Sequence, residues 1–158
     1  MTQAGLSLLD ESGHARMVDV SAKDVTAREA RASGRVLLSA AAIAALRSGQ
    51  VPKGDALAVA RIAGIQGAKR TPDLVPLCHP IAIHSVAVDL EITDEAVLIE
   101  ATVRTADRTG VEMEALTSVT VAALALIDMV KAVDPAAVIS DVRVEEKTGG
   151  KTGPWRRP

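Results

Sequence analysis

Between Val111 and Val133 apolar residues recur at the helical period, so that Val111, Ala115, Val119, Ala122, Leu126, Met129 and Val133 fall on one arc at about 100° per residue. This is the core stripe of one long helix. The opposite arc carries Met113, Glu114, Thr117, Thr120, Val121, Leu124, Asp128 and Lys131. A freely solvated face would carry Lys and Glu throughout, whereas here acids and a lysine bracket a middle that is apolar or hydroxylated. Hydrophobic residues on both arcs predict a helix covered on two sides. Its polar end groups then sit where water is scarce, and there ionisable groups become reactive.

The remaining elements follow from the same kind of pattern. Arg35 to Ser39 reads as a short strand, with Ser39 placed to cap an Ala-rich helix ending near Gly49. A second helix is predicted from about Asp55 to Lys69, and its small residues (Ala56, Ala60, Gly64, Gly67, Ala68) permit close backbone approach to a neighbour. His84, Val86, Val88, Leu90 and Ile92 alternate with polar or small residues, and a turn at Asp94-Glu95 returns the chain into Val97, Ile99, Ala101 and Val103. That is an antiparallel hairpin with one buried face. Val138, Val142 and Val144 mark a last strand. The order βααββαβ predicts an α+β fold close to the split βαβ plan, an antiparallel sheet with helices packed on one face. One domain is expected over 1–158, with flexible or ligand-ordered tails over about 1–15 and 149–158.

Composition narrows the function classes. With 158 residues and 48% hydrophobic content the chain suits a full core, but Phe and Tyr are absent and Trp155 is the one aromatic of the FWY set. Stacking on nucleic-acid bases is thereby excluded, and a net charge of -2 leaves no general electrostatic footprint for nucleic acid. A phosphorylated ligand would need a local basic cluster. Cys78, the lone cysteine, excludes an internal disulfide and fits a reducing compartment. The opening Met1-Thr2-Gln3-Ala4-Gly5 shows no basic segment before an apolar run, so no signal peptide is expected. Charged residues interrupt the apolar runs, so no membrane partner is expected either. A cytoplasmic protein is the expectation.

Candidate chemistry sits at the ends of the long helix. Asp128 and Lys131 are three apart and share a face, which suits either an exposed ion pair or, with Val121 and Leu124 on the same arc, a partly buried acid/base pair. Thr109-Gly110-Val111-Glu112 matches a capping box, giving Glu112 a structural role. Glu114 has no such role. It lies about 21 Å along the axis from Asp128 at 1.5 Å per residue. One small ligand cannot easily touch both, so they either grip opposite ends of an extended ligand or serve different copies of a site assembled between subunits.

Leu74-Val75-Pro76-Leu77-Cys78-His79-Pro80 is a loop stiffened by two prolines, and it suits either a buried Cys with a hydrogen-bonded His or a rigid binding element. A zinc site, as in a zinc-dependent ring hydrolase, is less favoured: adjacent Cys78 and His79 lack paired ligand spacing, and only His14 and His84 supply other imidazoles. Gly149-Gly150-Lys151-Thr152 imitates a phosphate-binding loop, but Glu145 stands where that pattern requires glycine. Its glycines with Lys147 and Lys151 can still wrap a phosphate. Arg28, Lys53, Lys69 and Arg70 are further basic residues outside the core stripes.

Several motifs occur in order: Met17-Val18-Asp19-Val20-Ser21, Lys53-Gly54-Asp55, Ala60-Arg61-Ile62-Ala63-Gly64-Ile65-Gln66, Pro76-Leu77-Cys78-His79-Pro80, Gly110-Val111-Glu112-Met113-Glu114-Ala115-Leu116, Asp128-Met129-Val130-Lys131-Ala132 and Lys147-Thr148-Gly149-Gly150-Lys151. Together they resemble the MoaC family of molybdenum cofactor biosynthesis, over about His14 to Gly153. The resemblance implies a ferredoxin-like α+β fold, a homohexamer built as a trimer of dimers, and an active site at a subunit interface. It also implies a lyase reaction, in which the cyclic dihydro-GTP intermediate becomes cyclic pyranopterin monophosphate (the molybdopterin precursor) and pyrophosphate is released. No redox cofactor is implied; Mg²⁺ with the triphosphate stays open. By the same resemblance Asp128 and Lys131 are the acid/base pair and Lys53 a further catalytic or phosphate-facing lysine. Leu77, Cys78, His79, Met113 and Glu114 resemble substrate-binding segments, and Arg28 and Lys147 anion contacts. The competing expectation is a non-catalytic, oligomeric nucleotide-binding sensor, since this fold alone does not fix function.

Overall fold

Strand β1 (Thr26–Leu37) begins nine residues before the strand expected at Arg35. Its inward positions are Ala30, Ala32, Gly34 and Val36, an alternation too weakly apolar to stand out in sequence although it is fully developed in space. In this computed structural model residues 9–158 are described. The opening Met1–Gly5, where no signal peptide is expected, and the first part of the tail expected over 1–15 lie outside the described residues. Leu9 and Ala15 close a small antiparallel bridge around Gly13.

Helix α1 (Ala40–Ser48) starts where Ser39 accepts a hydrogen bond from the Ala42 N–H, and it ends at Gly49 in the left-handed conformation. Helix α2 (Ala56–Lys69) is capped by Asp55, which accepts from the Ala58 N–H. A short helical turn, α3 (Thr71–Leu74), which the sequence pattern does not predict, leads into the proline loop. The hairpin is β2 (Ile83–Ile92) and β3 (Ala96–Asp107), followed by α4 (Glu112–Val130) and β4 (Val138–Thr148). A two-residue strand, β5 (Trp155–Arg156), completes a five-stranded sheet of order β2-β3-β1-β4-β5, in which every neighbouring pair is antiparallel. This is the expected α+β, ferredoxin-like arrangement.

The core lies between the sheet and the helices. Ala30, Ala32, Val36, Val97, Ile99, Ala101 and Val103 face Ala115, Val119, Ala122 and Leu126 of α4, all essentially without solvent exposure. The predicted core stripe is therefore the buried one as far as Met129, while Val133 lies beyond the end of α4 and is half-buried. Small residues let α2 and α4 lie close, as the sequence suggested: a Cβ added at Gly67 would stand 2.8 Å from the Val121 Cβ, and one at Gly64 3.1 Å from that of Ala122. By length and mean hydropathy (1.7) α4 could cross a membrane, but half of it is buried in this core. Asp134, itself buried, accepts from the Ser39 N–H at 2.8 Å and so ties the chain leaving α4 to the start of α1.

The other face of the sheet is polar. Arg31 reaches Glu100 at 3.1 Å and Glu146 at 3.4 Å, and Arg35 reaches Asp141 at 2.6 Å. Asp141 has φ of 55°, a left-handed conformation within β4, where the register against β1 shifts between Ser33 and Arg35. Beyond Thr148 the chain turns at Gly149 and Gly150 and returns as β5.

Candidate active site at the two ends of the long helix

At the C-terminal end of α4, the Asp128 carboxylate takes Lys131 at 2.8 Å and Lys53 at 3.1 Å. Lys131 comes from one helical turn later, whereas Lys53 is delivered by the turn before α2, where Gly54 adopts a φ of 108°. The three predicted residues are thus brought together. They are not buried within one chain: their side chains are 45–57% exposed. The partial burial expected from Val121 and Leu124 does not occur, because Val121 turns toward α2 while Leu124 is itself 61% exposed. Hydrogen bonds from Lys131 and then Lys53 hold the Asp128 carboxyl below its ordinary pKa. A carboxylate between two ammonium groups orients both lysines and favours their protonated forms.

The N-terminal end is enclosed. Glu114 is 1% exposed, covered by the chain's own proline loop, and Cys78 Sγ lies 3.5 Å from Glu114 Oε2. Burial pushes the Glu114 carboxyl upward. Burial first, then the neighbouring Glu114 charge, pushes the Cys78 thiol to about 11, so Cys78 is a thiol at neutral pH. Glu114 Oε1 and the buried Ser118 Oγ have no protein partner among the described residues. A buried polar atom left without a partner is destabilising by roughly 1–3 kcal/mol, which favours a ligand or water group there. Leu77 is half-buried in the same loop, and Met113 is 40% exposed beside Glu114.

His79 Nε2 donates to the Val18 carbonyl oxygen. That bond brings the Met17–Ser21 segment over the loop and forms a cleft of about 540 Å³ with Pro80, Ile81 and Asp107–Thr109. Within it the Ser21 N–H, hydrogen-bonded at 2.8 Å, holds the Asp19 carboxyl below its usual range.

A separate, mainly basic cleft of about 230 Å³ lies where α4 begins, lined by Lys23, Arg28, Lys147 and Lys151 together with Glu29 and Gly110–Glu112. Arg28 is held by a 3.1 Å hydrogen bond to the Asp107 carbonyl. The capping box expected at Thr109-Glu112 is not formed. The N-cap is Val111 without a side-chain cap, and Thr109 donates instead to the Gly110 carbonyl. Glu112 is drawn to Lys147 at 3.1 Å. A charge-assisted contact across the cleft outweighs a cap to a neutral N–H.

This cleft contains the predicted Arg28 and Lys147, but sequence pattern gave no role to Lys23. The one available signal was its place in the turn after Met17–Ser21, where the Lys23 N–H donates to the Val20 carbonyl at 3.0 Å. No group of three or more His, Cys, Asp or Glu among the described residues is placed to hold a metal ion.

One chain therefore carries two separate clusters of candidate residues. The enclosed Cys78–Glu114 pair and the basic cleft share the N-terminal end of α4, and the Asp128–Lys131–Lys53 cluster occupies the other. An axial separation of about 21 Å keeps Glu114 and Asp128 from a common small reacting centre.

Comparison with known proteins agrees with the ordered motifs. The model of the MoaC family matches residues 17–150. The cyclic pyranopterin monophosphate synthase of Streptomyces avermitilis is 70% identical over 155 residues, covering 98% of this chain and 91% of that protein. The protein of that name from Nocardioides is 67% identical, covering 97% of this chain and 96% of the relative. Cyclic pyranopterin monophosphate synthase 2 of Mycobacterium tuberculosis is 56% identical, with 96% and 91% covered.

Proposed function

Because the chain belongs to the MoaC family, we propose that it is itself a cyclic pyranopterin monophosphate synthase, acting in molybdenum cofactor biosynthesis on the cyclic dihydro-GTP intermediate. The observation that carries the mechanism is the pairing of a proton-transfer cluster at one end of α4 with a basic cleft and an enclosed carboxyl at the other. A purine-derived triphosphate needs both kinds of site.

In this lyase reaction Asp128 and Lys131 exchange protons with the reacting ring while Lys53 faces the same centre, each general acid/base step contributing about 10²–10⁴ in rate. Opening the five-membered ring of the purine and closing the pterin rings then proceed by staged proton transfers without a redox cofactor. The cyclic phosphate forms when a substrate hydroxyl attacks the innermost phosphorus and pyrophosphate leaves. Arg28, Lys147 and their cationic neighbours neutralise the charge that builds on the leaving group. Met113, Glu114, Leu77, Cys78 and His79 hold the ring system, with Glu114 Oε1 free to accept a hydrogen bond from it. Any Mg²⁺ would travel with the triphosphate.

The separation of the half-sites within one chain supports a site shared between subunits, in which the Asp128 end of one copy meets the Glu114 end of another. The exposed residues Met113, Thr120 and Leu124 along α4 supply a partly apolar seam for that contact. A homohexamer, a trimer of dimers, is the assembly this reading adopts, and a chain whose single cysteine forms no internal disulfide suits the cytoplasm.

The test is incubation of the purified protein with the cyclic dihydro-GTP intermediate. Release of pyrophosphate with formation of the pterin product is expected. Binding without conversion would show a nucleotide sensor instead.

A further inference from the structure

The basic cleft is roofed by a hairpin. After Lys147 and Thr148, which line the cleft, the chain turns through Gly149–Thr152, with Gly149 and Gly150 both left-handed, and comes back as β5. The turn sits directly on β1: a Cβ at Gly149 would collide with the Ala27 carbonyl oxygen, and one at Gly150 with the Arg28 guanidinium. The path of β5 therefore sets where Lys151 and the Gly149–Thr152 backbone stand relative to Arg28.

Two anchors hold β5. The Arg157 N–H donates to the Glu145 carbonyl at 2.8 Å, and Arg157 Nε donates to the Val144 carbonyl at 2.8 Å, with its guanidinium 5.7 Å from the centre of the Trp155 ring. On the other face of the strand Arg156 meets Glu146 at 3.4 Å.

The register explains what this accomplishes. Lys147 pairs with Ala30 of β1 on one side and with Trp155 of β5 on the other. Directly opposed residues of an antiparallel ladder project from the same face. Ala30 is buried under the helices, so Lys147 and Trp155 project toward the helix side, where Lys147 meets Glu112 of α4. Lys147 is thus flanked by Ala30 and an indole and directed into the cleft. A free lysine would lose about 2 kcal/mol of rotamer entropy on binding an anion, and a confined one loses less.

We propose that β5 is a strap for the anion site, and that Trp155 is the positioning residue that holds Lys147 and the Gly149–Thr152 turn in binding geometry. The proposal rests on the reading of this cleft as the triphosphate subsite. Trp155 is 40% exposed at the sheet edge, so its removal leaves the core between the sheet and α4 untouched.

The experiment compares the full chain with Trp155→Ala, Trp155→Phe and Arg157→Ala. Inorganic pyrophosphate binding is measured by calorimetry, and KM and kcat are measured with the cyclic dihydro-GTP intermediate. Trp155→Ala is expected to weaken pyrophosphate binding and to raise KM about tenfold with a much smaller change in kcat, the signature of lost binding rather than lost chemistry. Trp155→Phe restores most of the affinity. Arg157→Ala, which removes the side-chain bond to Val144 and the contact with the indole but keeps the backbone bond to Glu145, weakens binding in the same direction by a smaller factor and carries the expectation if Trp155→Ala fails to fold. Unchanged pyrophosphate affinity in the variants overturns the proposal, as does a loss confined to kcat or a failure of the full chain to bind pyrophosphate at all. A full chain that binds pyrophosphate but never converts the intermediate refutes the enzymatic reading alone, because the strap is then judged by calorimetry.

Discussion

The two ends of α4 are built on opposite plans. At the N-terminal end the chain closes over itself: the proline loop covers Glu114, Cys78 lies against it, and the hairpin of β4 and β5 roofs the cleft beside it. At the C-terminal end Asp128, Lys131 and Lys53 meet in contact with solvent, and Leu124 one turn earlier is exposed. The same helix thus presents one end enclosed by its own chain and another end open to solvent, which the proposed function reads as a binding end and a proton-transfer end. Proton transfer near neutrality needs desolvation or opposed charges to tune it. The C-terminal end has the opposed charges but not the desolvation, which a second subunit packed over it would supply.

Removing the exposed end's chemistry has the largest expected effect. Lys131→Ala lowers the rate of pyrophosphate release by about 10²–10⁴, while circular dichroism and sedimentation stay those of the parent protein. Retained turnover would take Lys131 out of the mechanism. Next in size is a change that forces the helices apart between the two ends. Gly67→Ala places a methyl group 2.8 Å from the Val121 Cβ and is expected to lower stability in urea by about 1–3 kcal/mol, the range for overpacking. A midpoint no lower than that of the parent would mean that the close approach of α2 and α4 is not tight.

The smallest effect distinguishes the ends by pH. Glu114 has its carboxyl raised by burial, so as pH climbs through the ordinary carboxylate range the unfolded chain loses this proton before the folded one does. Stability then falls with rising pH until the folded group also ionises, with a slope of at most about 1.4 kcal/mol per pH unit for one proton. Glu114→Gln should flatten that part of the profile in denaturation curves taken at several pH values. Asp128 titrates in the opposite sense, since its folded pKa is lowered and its contribution disappears only on acidification. Identical profiles for parent and Glu114→Gln would contradict the burial of an ionisable Glu114.

Much of this arrangement is legible in the chain. The helical stripe from Val111 to Met129, the cap at Ser39, the helix start near Asp55 and the hairpin of β2 and β3 are local patterns that form as predicted. What is not legible depends on distant partners. The first part of β1 alternates small residues (Ala30, Ala32, Gly34) with Arg31 and Ser33, and the inward position of residues so small shows only against the helices. The capping box at Glu112 yields to Lys147, a competitor 35 residues later in the chain. Glu114 shares an arc with Asp128, yet a loop from residues 76–80 buries one and leaves the other open. The basic cleft gathers Lys23 and Arg28 with Lys147 and Lys151 from the two ends of the chain. Spacing alone could not unite them.

The central claim, that the closed end of one subunit works with the open end of another, is tested most directly by mixing. Glu114→Ala and Asp128→Ala proteins, each inactive alone, are combined under conditions where subunit exchange is verified by mass spectrometry, and pyrophosphate release from the cyclic dihydro-GTP intermediate is followed. A shared site predicts that activity reappears on mixing, because some interfaces then receive an intact Glu114 from one chain and an intact Asp128 from the other. Exchange without any recovery of activity would contradict it.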